Sequence, residues 1–226
     1  MIKKYYIIIL VLILAAVIAS YFKFGRRQIE ISSEKEVKAI AKSSITGQEC
    51  DNAGMRPIAV MISSDKEARP ISGIGEADMV FEMPVVENGF TRMMAVYQCG
   101  KPSELGSIRS ARMDFVPLAL GLNAIYAHFG GEHEVLEQLN RGIIDNIDGL
   151  IYDGTIYYRK KAIPKPHNAF TNFALISQAI NQREYKTTDT LVNYPHNDND
   201  KSEGIISPPA IYNNNGRFKV TWTYNS

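Results

Sequence analysis

Residues Gly106 to His133 read GSIRSARMDFVPLALGLNAIYAHFGGEH, and the reading of the chain turns on them. Ala124 to Phe129 is short, apolar and aromatic, the pattern of a buried strand. Gly130-Gly131 lets the backbone turn sharply. Glu132 to Asn140 (EHEVLEQLN) then has helical spacing with acids in its first turn, and Gly142 follows as a stop. Ahead of the strand, Ile108 to Leu122 is expected to be helical, capped by Ser107 and bent or split at Pro117. On such a helix Arg109 and Arg112 would share a face.

Working outward, Pro57 to Ile62 (PIAVMI) reads as a buried strand. Asp78 to Val86 and Phe90 to Cys99 read as a hairpin about the turn signal Glu87-Asn88-Gly89. Alternation on the second strand puts Arg92 on the face of Met94 and Val96. Asp148 to Tyr152 suggests a short strand and Phe173 to Gln182 a helix. Ala210 to Tyr224 reads as a further hairpin turning at Asn213 to Gly216. Strands and helices in this order predict an α/β or α+β domain, a mixed sheet with flanking helices. The expected organisation is a membrane anchor over residues 1–27, a polar stalk over 28–45 and the folded domain over 46–185. A linker over 186–207 would follow, then the start of a truncated C-terminal β region over 208–226.

The anchor rests on Tyr5 to Phe22, an apolar run with IIILVLILAAVIAS at its centre, flanked by Lys3, Lys4, Lys23, Arg26 and Arg27. About 18 residues at a rise of 1.5 Å span roughly 27 Å, close to a bilayer core. Tyr5, Tyr6, Tyr21 and Phe22 sit where interfacial aromatics are expected. A cleaved signal peptide, cut after Val17-Ile18-Ala19, is the competing reading. A short basic tail inside would leave the domain outside the cytoplasm, where Cys50 and Cys99 can pair; two buried thiols are the alternative. The net charge of +1 in 226 residues offers no bulk attraction to nucleic acid, and two cysteines are too few for a Cys-based zinc site.

The polar residues that stand out are Arg92, Arg109, Ser110, Arg112, His128, His167 and Asn168. A guanidinium presents a planar fork of donors that matches carboxylate or phosphate oxygens. Several beside a hydroxyl suggest an anion site. The competing role is structural pairing with acids such as Glu82, Glu87 or Asp114. His128 and His133 flank the Gly pair, and His167 follows a Pro-rich loop. Their spacing with Glu132 or Glu134 matches no known ligand pattern, so neither a metal nor another cofactor is expected. A histidine acting as base toward Ser110 is chemically allowed, but no nucleophile-elbow pattern accompanies it. Tyr157-Tyr158 with Arg159, Lys160 and Lys161 could stack on sugars, lie against a membrane surface, or form a half-exposed strand.

From Arg56 onward the chain resembles the YerB-like bacterial lipoprotein family, DUF3048. The resemblance is carried by Arg56-Pro57-Ile58-Ala59-Val60-Met61-Ile62, by Ala77-Asp78 with Val80 and Glu82, and by Gly89, Thr91-Arg92 and Ala95-Val96-Tyr97. It continues through Gly106-Ser107-Ile108-Arg109-Ser110-Ala111-Arg112, His128 with Gly130-Gly131, and Pro166-His167-Asn168, covering roughly Thr46 to Asn181. It implies a membrane-associated protein outside the cytoplasm and lends no reaction. Members often carry a lipidated N-terminal cysteine, which is missing here, and continue into a longer C-terminal β-rich region. The expectation is a single-pass membrane protein whose outer domain binds an anionic glycan or phosphate-bearing polymer of the envelope. A hydrolase of such a polymer and a non-catalytic scaffold are the alternatives.

Overall fold

A computed structural model describes residues 14–21, 41–86, 89, 91–191, 210–211 and 221–222. Two compact units appear, Met1–Ala39 and Ile40–Ser226. In the first, residues 14–21 are helical, with Leu14, Val17, Ile18 and Tyr21 exposed. Among the described residues no helix is long and apolar enough to cross a membrane. Most of the run Tyr5 to Phe22, most of the stalk, His196 and the turn Asn213 to Gly216 lie outside them.

The second unit is built on a mixed five-stranded sheet in the order β2-β3-β1-β5-β6. Its strands are β1 (Ile58–Ser63), β2 (Met79–Pro84), β3 (Thr91–Tyr97), β5 (Ile125–His128) and β6 (Asn146–Asp148). β1 lies antiparallel to β3 and parallel to β5, so the sheet changes sense at its middle strand. β2 and β3 form the expected hairpin. A second, antiparallel sheet joins β4 (Leu105–Gly106), β8 (Ala169–Thr171) and β7 (Tyr158–Arg159). β9 (Ala210–Ile211) and β10 (Thr221–Trp222) pair antiparallel, as the C-terminal hairpin requires.

Every residue of β1 and β3 is buried. Alternation sends Ile58, Val60 and Ile62 to one face, where α3 (Phe173–Gln182) and the small sheet cover them. Ala59 and Met61 face the other side, under α1 (Val116–Gly121) and α2 (His133–Asn140). Helices on both faces of a partly parallel sheet explain why β1 reads as an unbroken apolar run. Asn172 caps α3 by accepting from the Leu175 N–H at 2.8 Å.

The segment after Gly106 departs from the expected helix. Residues 107–112 form no helix and make single β-bridges at Ile108 and Ala111, Met113–Phe115 form a 3-10 turn, and only Val116–Gly121 is α-helical. Pro117 stands in the first turn of α1, where its missing N–H costs nothing. The segment 107–112 is a strap across the sheet: Arg109 N–H donates to Met61 O at 2.9 Å and its carbonyl accepts from Phe129 N–H at 2.9 Å. Ala111 N–H then donates to Gly130 O at 2.8 Å. Arg109 and Arg112 therefore do not share a helix face.

Both domain edges extend further than expected. Ser43, Ser44 and Ile45 are buried, and the Ser43 hydroxyl donates to Gln98. Arg56 N–H donates to Thr187 O at 2.7 Å, so residues past 186 pack on the domain. Cys50 and Cys99 are bonded, with Cα atoms 5.7 Å apart and a sequence separation of 49. Such a cross-link restricts the unfolded chain, so replacing both cysteines by serine should lower stability by about 2–4 kcal/mol. Urea unfolding of the double variant is the check; a midpoint equal to the parent would show the bond to be energetically silent.

Candidate functional site

β1, β5 and β6 run in parallel and end at Ser63, His128 and Asp148 on one edge of the sheet. Arg92 is paired with Ser63, which places it at this same edge. In sheets of this kind, ligands bind outside the carboxyl ends of parallel strands, where neighbouring strands change direction.

Arg92 points to the α1/α2 face, as Met94 and Val96 do. It is only 8 % exposed, and its Nε has no hydrogen-bond partner. Burial, then the charges of Arg109 and Arg112, pull its pKa well below the usual arginine value to about 9, while Asp65 and Tyr126 act in the opposite sense. The three guanidiniums are thus close enough to feel one another. Arg109 is also held below its usual value, first by burial, with Asp65 opposing and Arg112 adding to the effect. Its Nη1 donates to Pro166 O at 2.9 Å, while its Nε is buried without a partner. Arg112 Nε lies 3.4 Å from Glu132 Oε1 without hydrogen-bond geometry, and its Nη1 donates to Ala111 O at 3.1 Å. The buried Tyr126 hydroxyl lies against the backbone of Arg112 and the charges of Arg112 and Arg92; burial holds its pKa above the usual range.

Arg109 also borders an open cleft of about 230 Å³, shared with Ser110, Phe129, Arg159, Lys165 and Pro166. Arg159 stacks 4.1 Å over the Phe129 ring, and Asn168 Oδ1 accepts from its Nη1 at 2.9 Å. Asn168 therefore positions a cation of the cleft. His167 is buried beside Asp65 and Glu67, with Nε2 4.0 Å and 3.7 Å from their carboxylates.

Of the residues singled out by sequence, Arg92, Arg109, Ser110 and Arg112 gather at one edge, with His167 and Asn168 beside them. His128 does not open into the cleft. It is fully buried, Nδ1 lies 2.9 Å from Gly130 O and Nε2 3.3 Å from Asn146 Oδ1, so the core already occupies both nitrogens. His133 is exposed at the start of α2. The Gly130 N–H donates to Asp148 Oδ1 at 2.7 Å and is not offered to a ligand. Among the described residues no hydrogen bond links Ser110 to a histidine. Asp65, Glu67, Tyr126 and Lys165 were not singled out by sequence. The one available signal for Asp65 was the polar run Ser63-Ser64-Asp65 directly after an apolar strand.

Three cations held close in a largely buried place oppose folding when no anion is bound. Because the folded protein lowers the Arg92 pKa to about 9, the unfolded chain binds more protons above that pH. The cost is therefore present in full below pH 9 and eases as the pH rises above it. Arg92→Met should raise ligand-free stability at pH 7 by about 1–3 kcal/mol. It should also abolish the rise in melting temperature that sulfate or phosphate gives the parent beyond that of chloride at equal ionic strength. Thermal melts in the three salts read both effects, and a variant less stable than the parent would sink the argument.

Residues 45–186 match the family described as "Protein of unknown function (DUF3048) N-terminal domain". The chain is 35% identical over 147 residues to "Putative lipoprotein YerB" of Bacillus subtilis (strain 168), covering 64% of this chain and 44% of that protein. It also resembles the crystal structure of YerB from Bacillus subtilis with a TM-score of 0.62 and 34% identity, over 67% of this chain and 53% of that one. The chain thus spans about half the length of the relatives it matches. With the sheet, the strap and the arginine edge in place, the match across residues 45–186 makes this chain a member of the DUF3048 family.

Proposed function

We propose that the chain is a membrane-tethered protein whose folded unit lies outside the cytoplasm and binds an anionic cell-envelope ligand, a glycan carboxylate or a phosphate-bearing polymer. One observation carries the binding: Arg92, Arg109 and Arg112 lie near enough at this end of the sheet for their charges to act on one another, the Nε atoms of Arg92 and Arg109 are buried and unpartnered, and Arg109 borders a cleft of about 230 Å³. Buried donors without acceptors are costly, and an anion supplies the acceptors. The location is supported by the apolar run Tyr5 to Phe22, by the exposed apolar side chains of residues 14–21 and by the Cys50–Cys99 bond. The name of the Bacillus relative, a lipoprotein, agrees with a tether.

A scaffold role is favoured by different contacts. Arg112 lies near Glu132, and Arg109 ties the strap to the loop at Pro166. The two readings part in one titration. Glycerol-phosphate oligomers and uronic-acid oligomers are titrated into the full-length chain by calorimetry. Ligand binding predicts saturable, salt-sensitive affinity for one of them, weakened at least tenfold, about 1.4 kcal/mol, in Arg109→Ala/Arg112→Ala. Absence of binding to either oligomer at low salt, with the parent fully folded, would leave the scaffold reading in possession.

A further inference from the structure

Asp65, Glu67 and His167 each bring one metal-ligating atom within 4.8 Å of the other two. Asp65 stands just past β1, and His167 just before β8, so the fold and not a local motif gathers them. His167 Nε2 is 3.7 Å from Glu67 Oε2 and 4.0 Å from Asp65 Oδ2, beyond hydrogen-bond reach. Neighbouring ligands about a small divalent ion stand roughly 3–3.5 Å apart at metal–ligand distances of about 2.0–2.2 Å. Glu67, whose side chain is 58% exposed, has a few tenths of an ångström to close toward His167, and the Asp65 carboxylate about half an ångström.

The two other ligands are better fixed. Asp65 Oδ1 accepts from the Glu67 N–H at 3.3 Å and so caps the short turn Lys66–Ala68, leaving Oδ2 on the His167 side. His167 is tied through its own N–H to Pro164 O at 3.0 Å. One imidazole and two carboxylates suit zinc or manganese rather than an all-oxygen calcium site. Three protein ligands leave a coordination position open.

A second observation points to a ligand at the same place. Arg92, whose buried Nε lacks an acceptor, sits across from Ser63, two residues before Asp65, and feels the Asp65 charge. Two carboxylates neutralise a divalent ion, so the arginines still need an anion. We propose that Asp65 Oδ2, Glu67 Oε2 and His167 Nε2 bind one zinc or manganese ion, and that this ion and the arginines grip the same anionic ligand. The second half rests on the anion-binding reading; the first half does not.

The full-length chain, purified in detergent and stripped with a chelator, is titrated with ZnCl2, MnCl2, MgCl2 and CaCl2 by calorimetry. One zinc or manganese ion should bind per chain, and Glu67→Gln should weaken it at least tenfold. Asp65→Asn should do the same while its amide oxygen keeps the cap, and retained cooperative melting with a native circular-dichroism spectrum confirms that both variants fold. Nitrogen hyperfine coupling on bound Mn2+ should vanish in His167→Gln. No saturable binding, affinity unchanged in both carboxylate variants, or a preference for calcium or magnesium overturns the site. Inorganic phosphate should then bind at least tenfold tighter with manganese present than without it. Phosphate binding that ignores manganese overturns the shared grip alone and leaves the arginine site standing.

Discussion

The burial of β1 on both faces is the constraint on which the rest depends. Six consecutive residues, Ile58 to Ser63, have no side open to water. Their backbone groups must all find partners within the sheet, because an unpaired buried amide or carbonyl is costly. β3 supplies them along one edge and β5 along the other. Past the end of the β5 pairing, at Met61, the strap 107–112 takes over, with Arg109 N–H on Met61 O and Ser107 O accepting from Ser63 N–H at 3.0 Å. The strap thus continues the hydrogen bonding of the central strand, and it carries the two arginines to the sheet edge as it does so.

This arrangement sets structure against comfort. Packing favours an apolar residue at the start of β3, where Thr91 and Arg92 are buried among Met93, Met94 and Ala95. A guanidinium there loses water, meets two further cations, and finds no acceptor for its Nε. The core of the unit is fully formed without it, since both clusters on the faces of β1 close over aliphatic and aromatic side chains. A destabilising charge held at the edge of a well-packed sheet is the kind of strain that binding sites store and that folding alone does not require.

The parts of the fold that could be read from the chain were those with a local period or punctuation. β1 announced itself as an apolar run, the β2–β3 hairpin by its Asn-Gly turn signal, and α3 as the stretch Phe173 to Gln182. The strap was misread because IRSARMDFVPLALGL has helical spacing, while its true partners, Met61, Phe129 and Gly130, lie far away in sequence. β4, β7 and β8 have two or three residues each, too few to show any alternation. Within the site, alternation placed Arg92 on the correct face, but nothing local joins Asp65 to His167 or Arg159 to Phe129. His128 looked like Arg109 in the sequence, a polar residue at the end of an apolar segment. Only the neighbours Asn146 and Gly130 reveal that its nitrogens are already used.

That contrast also explains why the cations, rather than the buried histidine, mark the edge as a place for a ligand. Both ring nitrogens of His128 face oxygens of the core, the Gly130 carbonyl just past β5 and Asn146 Oδ1 on β6. A guanidinium has five donors in a fixed plane, more than a strand end can satisfy from its own backbone. At the end of β1 the parallel neighbour β5 has turned away into Gly130, and the antiparallel neighbour β3 is only beginning. Acceptors are scarcest where those two senses meet. Three arginines placed there are short of acceptors by construction, and an oxyanion entering from the cleft beside Arg109 is the simplest source of them.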